Sequence, residues 1–283
     1  MRLDDLIGLM SNSRTETWER CQAVFFYRYV QGMTKPPSAS LARGRAYDRT
    51  SNEVYQEKFS QGEPLSLDYT RDLFASIWDE EKDGVDNWQG DTPEGVLDTG
   101  MKVLDPWLNR VVPYVDPTRP PQVKFEIDCA SPNPDRDDAA DIDPLFVIRG
   151  AADLVAHVPW GVGRFVAVVD HKASGKPWGP ADALREMQPG FYRVGLPGLN
   201  AELFQFHVFR TALKEPKTTI LGRTVGPQDT KLALARVSMA RRQIANAFRV
   251  GDFIPNRKNV LCSRRWCAFW AECEREHGGR VPE

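Results

Sequence analysis

The chain has 283 residues, with 39 acidic against 37 basic side chains and a net charge of −2, so no whole-protein field attracts nucleic acid and any such binding has to come from local patches. The length is near the upper size of one domain. No stretch approaches the roughly 20 apolar residues of a membrane span, and "MRLDDLIGLMSNSRTE" carries acids where a secretory leader needs a basic head, so a cytoplasmic protein with no membrane partner is expected.

In chain order, "SNSRTETWERCQAVFFYRYVQG" reads as one helix. Ser13 and Glu16 have capping-box spacing, Trp18, Cys21, Phe25 and Tyr29 recur on one face, and Gly32 ends it. A second helix is predicted from Ser40 to about Phe59, a third over Arg71 to Glu81, and a fourth opening at Thr92 and Pro93. The period then changes. "VKFEIDCA" alternates with Val123, Phe125, Ile127 and Cys129 on one side, as a half-buried strand does, and Cys129 is expected in the core. "SPNPDRDDAADIDP" reads as an acidic loop. "LFVIRGAADLVAHV" and "RFVAVVDHKA" follow as strands joined by "PWGVG". A helical segment from about Pro180 to Val194, a strand pair in "LFQFHVFRTAL" and "KTTILGRTV", and a long helix over Asp229 to Phe248 complete the core. This order suits an α/β or α+β domain with a mixed central sheet flanked by helices.

Strand alternation puts Asp170 and Lys172 on one face and His171 on the other. Pairing of the Asp153 strand with the Asp170 strand would bring two carboxylates and an ammonium together. Carboxylate oxygens suit Mg²⁺ or Mn²⁺, and a lysine beside them can offset charge that grows on a phosphate. Gln188 and Tyr192, four apart, share a helix face. Three arginine groups are candidate patches: Arg43, Arg45 and Arg49; Arg241 and Arg242; Arg264 and Arg265. Each reads equally as a solvated helix face.

"IRGAADLV", "VVDHKAS" and "MQPGFY", in this order and spacing, resemble the RecB-type nucleases of the PD-(D/E)XK superfamily. The likeness extends to "SNSRTETWERCQAVFFYRY" and to "PNRKNVLCSRRWCAFWAEC". It implies a restriction-endonuclease-like core over residues 121–250, N-terminal helices over 1–60, a helical insertion over 63–120 and a C-terminal tail over 251–283, all in one nuclease domain. It implies that Asp153 and Asp170 hold the catalytic Mg²⁺ or Mn²⁺, with the His171 carbonyl as an extra ligand. Lys172 would assist the attacking water, Gln188 and Tyr192 would touch the DNA backbone, and Glu126 would help through a water. Relatives place a histidine ligand in Gly-x-x-x-His on the second helix; here "GRAYD" offers Gly44 and Asp48.

Five cysteines in a reducing compartment read as metal ligands or core residues rather than disulfides. "CSRRWCAFWAEC" holds three of them. The resemblance implies a [4Fe–4S] cluster on Cys21, Cys262, Cys267 and Cys273, as in the AddB subunit of repair helicase–nucleases and the RecB-like nucleases of CRISPR adaptation. Such a cluster would clip the first helix to the tail, with Trp266, Phe269 and Trp270 packed round it or stacked on bases. A rival reading takes Cys267, Cys273 and His277 as half of a zinc finger on single-stranded RNA.

The expected function is a metal-dependent deoxyribonuclease, an exonuclease on single-stranded DNA or DNA ends, in recombination or repair. No P-loop pattern appears, so a separate recombinase, annealing protein or helicase is the expected partner, and a small stand-alone enzyme suits a phage or its bacterial host. The alternatives are a non-catalytic nucleic-acid-binding protein with a zinc module and a CRISPR-adaptation nuclease.

Overall fold

The computed structural model describes residues 2–88, 90–130, 145–199, 202–211 and 217–278. The chain opens with α1 (Leu3–Ile7), β1 (Leu9–Met10), α2 (Asn12–Arg20) and α3 (Gln22–Phe25), which continues as a π-helical turn over Phe26–Val30. Helices α4 (Ala39–Gln61), α5 (Leu67–Lys82) and α6 (Pro93–Arg110) follow. Next come β2 (Asp116–Pro117), β3 (Val123–Ala130), β4 (Leu145–Ala152), β5 (Leu154–Trp160) and β6 (Gly163–Ser174). Then α7 (Pro180–Arg185), α8 (Gln188–Gly195), β7 (Leu203–Arg210), β8 (Lys217–Thr224), α9 (Pro227–Val250) and α10 (Trp270–His277) lead to the end.

The expected first helix is broken. Its N-cap is Ser11 rather than Ser13, the Ser11 hydroxyl accepting the Arg14 N–H at 3.1 Å. Cys21 is extended, with φ −167° and ψ 116°, so the backbone leaves the helix there and re-enters it one residue later. The cap at Thr92 forms as expected, its hydroxyl accepting the Gly95 N–H at 3.0 Å with Pro93 opening the helix. The acidic loop of residues 131–144 lies outside the described residues.

The strands form two sheets, β1-β4-β3 and β2-β5-β6-β7-β8. The larger is mixed: β6 and β7 run parallel and the other neighbours antiparallel. "LFVIRGAADLVAHV", expected as one strand, is two. β4 pairs with β3, β5 pairs with β6, and Asp153 alone lies between them. The chain thus changes sheets at a carboxylate.

Each face of the larger sheet carries its own core. Val155, Val168, Phe204, Phe206 and Val208 pack with Phe191 and Tyr192 of α8 and with Ala233, Val237 and Ile244 of α9. Leu154, Ala156, Val158, Ala167, Val169 and Phe209 pack instead with Tyr47 and Tyr55 of α4, Phe74 and Trp78 of α5, and Trp107 of α6. Helices α5 and α6, expected as an insertion, therefore cover a sheet face. Gly190 marks the crossing of α8 over α9, where a Cβ would stand 2.5 Å from the Asp229 carbonyl oxygen. The result is a mixed α/β fold with mixed sheets between helical layers.

Candidate active site

The period-2 alternation of β6 sorts its C-terminal residues between the two cores. Asp170 and Lys172 point to the α8 side. His171 points to the α4 side, its ring stacked with Tyr55 at 5.7 Å and Phe209 at 5.9 Å.

On the α8 side the contacts form a closed set. The Lys172 ammonium lies 2.6 Å from Asp170 Oδ2 and donates to Gln188 Oε1 at 2.8 Å. The Gln188 amide donates to Asp170 Oδ1 and to the Tyr192 hydroxyl, both at 2.6 Å, and Tyr192 donates to Asp170 Oδ1 at 3.2 Å. Gln188 opens α8 and Tyr192 follows one turn later, so one short helix supplies both groups. Burial opposes charge on Lys172, but the charge and hydrogen bond of Asp170 outweigh it, so its pKa lies above the ordinary value. Burial first, then the Asp170 charge, pushes the Tyr192 hydroxyl well above its usual range. Tyr192 is only 5% exposed. It and Gln188, expected to touch the DNA backbone, are bonded here to Asp170 and Lys172.

At the sheet junction, Asp153 Oδ2 accepts the His171 backbone N–H at 2.7 Å. The carboxylate thereby continues the β5–β6 ladder one step before the start of β5. A residue's C=O and N–H point the same way in an extended strand, so the His171 carbonyl faces the same gap. Ligand atoms of Asp48, Asp153 and His171 all lie within 4.8 Å of one another. Burial, then the charges of Asp170 and Asp48, push the Asp153 carboxyl well above the usual carboxylate range. Burial and the Asp170 charge also raise Asp48. Burial, helped by His207 and Lys172, holds His171 well below its ordinary value, so its ring is neutral. Asp153 and Asp48, whose charge is opposed by burial and by neighbouring carboxylates, fit a hard divalent cation.

Sequence reasoning missed Gln122 and Asn52. Gln122 has a φ of 59°, the single positive φ outside glycine among the described residues. Its backbone N–H donates to the Asp153 carbonyl at 2.9 Å, and its side-chain amide donates to Asp48 Oδ1 at 3.2 Å and Asn52 Oδ1 at 3.3 Å. It therefore ties the two carboxylate-bearing segments together. The findable signal was Asn52, one helical turn after Asp48 on α4. Gly44, one turn before Asp48, has open space where a Cβ would project.

Glu126 is not gathered here. Phe125 takes the inward position of β3, which turns Glu126 outward to a mostly exposed ion pair with Arg149 at 2.8 Å. Two arginine patches dissolve as well. Arg43, Arg45 and Arg49 pair with Asp91, Glu81 and Glu80 and clasp α4 to α5 and its loop. Arg241 is buried, donates to the Ile7 carbonyl at 2.6 Å and lies over Phe146.

At the other end of α4, a cavity of about 570 Å³ is lined by Cys21, Cys262, Cys267 and Cys273, with Trp266, Phe269 and Trp270. None of the four is in a disulfide. The break at Cys21 places its sulfur here, where it accepts the Asn256 N–H at 3.4 Å. Burial and the neighbouring thiols raise Cys262, Cys267 and Cys273, the last to about 11. Tyr27 stacks on Phe269 at 5.6 Å and donates to Glu276 at 2.8 Å, while Lys35 donates to Glu272 at 2.7 Å. These contacts fasten the tail to the N-terminal segment. His277 is not among the residues lining the cavity. Cys129 is buried in the main core, as expected.

The model of the PD-(D/E)XK nuclease superfamily matches residues 9–274. No curated protein matches the sequence significantly. Among solved structures, the chain is similar to a "putative exonuclease" from Eubacterium rectale, at 12% identity and TM-score 0.53, over 99% of this chain and 91% of that one. The structure of SSO0001 overlaps 93% of this chain and 94% of its own at 10% identity, with a TM-score of 0.35. Among the described residues no helix is long and apolar enough to cross a membrane.

Proposed function

The chain belongs to the PD-(D/E)XK nuclease superfamily, and on that premise we propose that it is a divalent-metal-dependent deoxyribonuclease degrading single-stranded DNA or DNA from its ends. The observation that carries this reading is the end of β6. There Asp170, paired to Lys172 at 2.6 Å, abuts the junction where ligand atoms of Asp153, Asp48 and His171 lie within 4.8 Å of one another.

Asp153 and Asp48 would hold Mg²⁺ or Mn²⁺, with Asp170 adding its charge from the α8 side. When bound, the ion supplies Lewis-acid charge and a water of lowered pKa. Lys172 is anchored by Asp170 and Gln188, which leaves it a proton to donate toward a phosphate oxygen and to offset the charge gained under attack. Gln188 and Tyr192 hold the Asp170 carboxylate in one orientation. The open space above Gly44 gives a nucleic-acid backbone room to pass within a helical turn of Asp48.

The four cysteines are read as ligands of a [4Fe–4S] cluster. What supports this reading is that one cavity gathers the early Cys21 with the three late cysteines, while His277 stands outside its lining. The whole chain is read as one nuclease domain, because α5 and α6 share a core with the catalytic sheet.

The test compares end-labelled linear with circular single-stranded DNA in Mn²⁺ or Mg²⁺. Progressive loss of the linear substrate with survival of the circle supports action from ends. Cleavage of the circle refutes the exonuclease reading. Equal cleavage by an Asp170→Asn variant refutes the site.

A further inference from the structure

His171 is the one buried polar side chain at the junction whose side-chain chemistry the reading above leaves unused. Its side chain is 2% exposed, and neither ring nitrogen has a hydrogen-bond partner among the described residues. A neutral imidazole carries one N–H and one lone pair, and burying both unpaired is unfavourable. A space-filling residue here could be wholly apolar. Tyr55 and Phe209 flank the ring as a packing slot that Phe would occupy equally well.

The ring is aimed at the carboxylates. Nδ1 lies 3.8 Å from Asp153 Oδ2, and the Asp48 carboxylate completes a trio within 4.8 Å. A separation of 3.8 Å is too long for a hydrogen bond. It suits two ligands of one ion, since donors about 2.1 Å from a common centre stand about 3 to 4 Å apart. His207, beside the ring at 5.5 Å edge-to-face, offers no competing bond to it.

We propose that the His171 imidazole, through Nδ1, is a protein ligand of the active-site divalent cation together with Asp48 and Asp153, giving a two-carboxylate, one-nitrogen site that prefers Mn²⁺ to Mg²⁺. The inference rests on the metal-nuclease reading and deepens it. Imidazole suits transition metals, whereas Mg²⁺ favours oxygen. The strand that carries Asp170 and Lys172 to one face thus delivers a nitrogen to the ion from the other.

The test uses the intact protein with Mn²⁺ alone, read by pulsed electron paramagnetic resonance without substrate. One bound Mn²⁺ with a ¹⁴N coupling that changes to a ¹⁵N signature after growth on ¹⁵N-histidine is expected. The His171→Phe variant, whose ring keeps the stack between Tyr55 and Phe209, loses the coupling and binds Mn²⁺ about tenfold or more weakly, with a smaller change for Mg²⁺. Bound Mn²⁺ without nitrogen coupling in the parent, or coupling that survives in His171→Phe, overturns the ligand assignment and leaves the metal-nuclease reading standing. Failure of the parent to bind Mn²⁺ at all overturns both. The labelled parent keeps the test decisive if the variant does not fold, because His171 is the one histidine in the close group with Asp48 and Asp153.

Discussion

Tyr192 donates its hydroxyl to Oδ1 of Asp170 at 3.2 Å, from a helix that begins after β6 has ended. Its ring is fixed by stacking on Phe204 at 5.6 Å and by the edge of Phe125. Tyr192→Phe keeps both packing contacts and removes two buried hydrogen bonds, the one accepted from Gln188 and the one donated to Asp170, the latter worth about 1 kcal/mol. Expressed as positioning of Asp170, that corresponds to about fivefold in kcat, with KM for DNA little changed. A large rise in KM instead would mean that the hydroxyl contacts substrate.

Gly44→Ala separates folding from substrate passage. An interior helical glycine costs roughly 0.5–1 kcal/mol relative to alanine, and a Cβ at 44 meets nothing within 4 Å. The variant should therefore melt at a higher temperature while cleaving DNA more slowly. Thermal melts and initial rates on one preparation read both signs. Higher stability with unchanged cleavage would show that DNA does not pass over this turn.

The buried histidines make stability depend on pH. Burial lowers His207 to about 3 from an ordinary 6.5, and His171 is lowered in the same direction. Below pH 6.5 the unfolded chain takes up protons that the native state refuses. The neutral-ring contribution is thus complete above 6.5 and declines as pH falls toward 3. Each such histidine adds a slope of about 1.4 kcal/mol per pH unit inside that window. Urea unfolding from pH 7 to 4.5 should show this slope, and His207→Phe should reduce it by one proton. An unchanged slope in that variant would contradict a neutral His207.

The alternation of "VVDHK" made the division of Asp170 and Lys172 from His171 readable in advance, and the Gln188–Tyr192 spacing placed both on α8. The sheet change at Asp153 was not readable. "RGAADLV" has no proline or turn cluster after Gly150, and the break exists because β3 and β6 compete for the two halves of one apolar run. Cys21 hid its break in the same way, inside good helical periodicity. Glu126 lies apart from the other site residues because its strand's parity is set by Phe125, which packs in one core with Tyr192. Gln122 gave no sequence signal, since its role depends on a left-handed backbone and on two segments distant in sequence.

The tail makes its own prediction. Anaerobically purified protein should contain about four irons per chain, with visible absorption that is lost in Cys21→Ser and Cys273→Ser. His277→Ala should keep both signals, because His277 does not line the cavity. Stoichiometric zinc that falls in His277→Ala would replace the cluster with a zinc site.

The most direct measurement of the central claim is cleavage of end-labelled single-stranded DNA by the anaerobically purified protein in Mn²⁺, beside its Lys172→Ala variant. Lys172 is the cation fixed between Asp170 and Gln188. Its removal should lower cleavage by about a hundredfold or more, while Gln188 and Tyr192 still hold Asp170 and the circular dichroism is unchanged. Cleavage by the parent and not by the folded variant is the predicted result. Equal cleavage by both, or none by a parent that has bound its metal, would contradict the account.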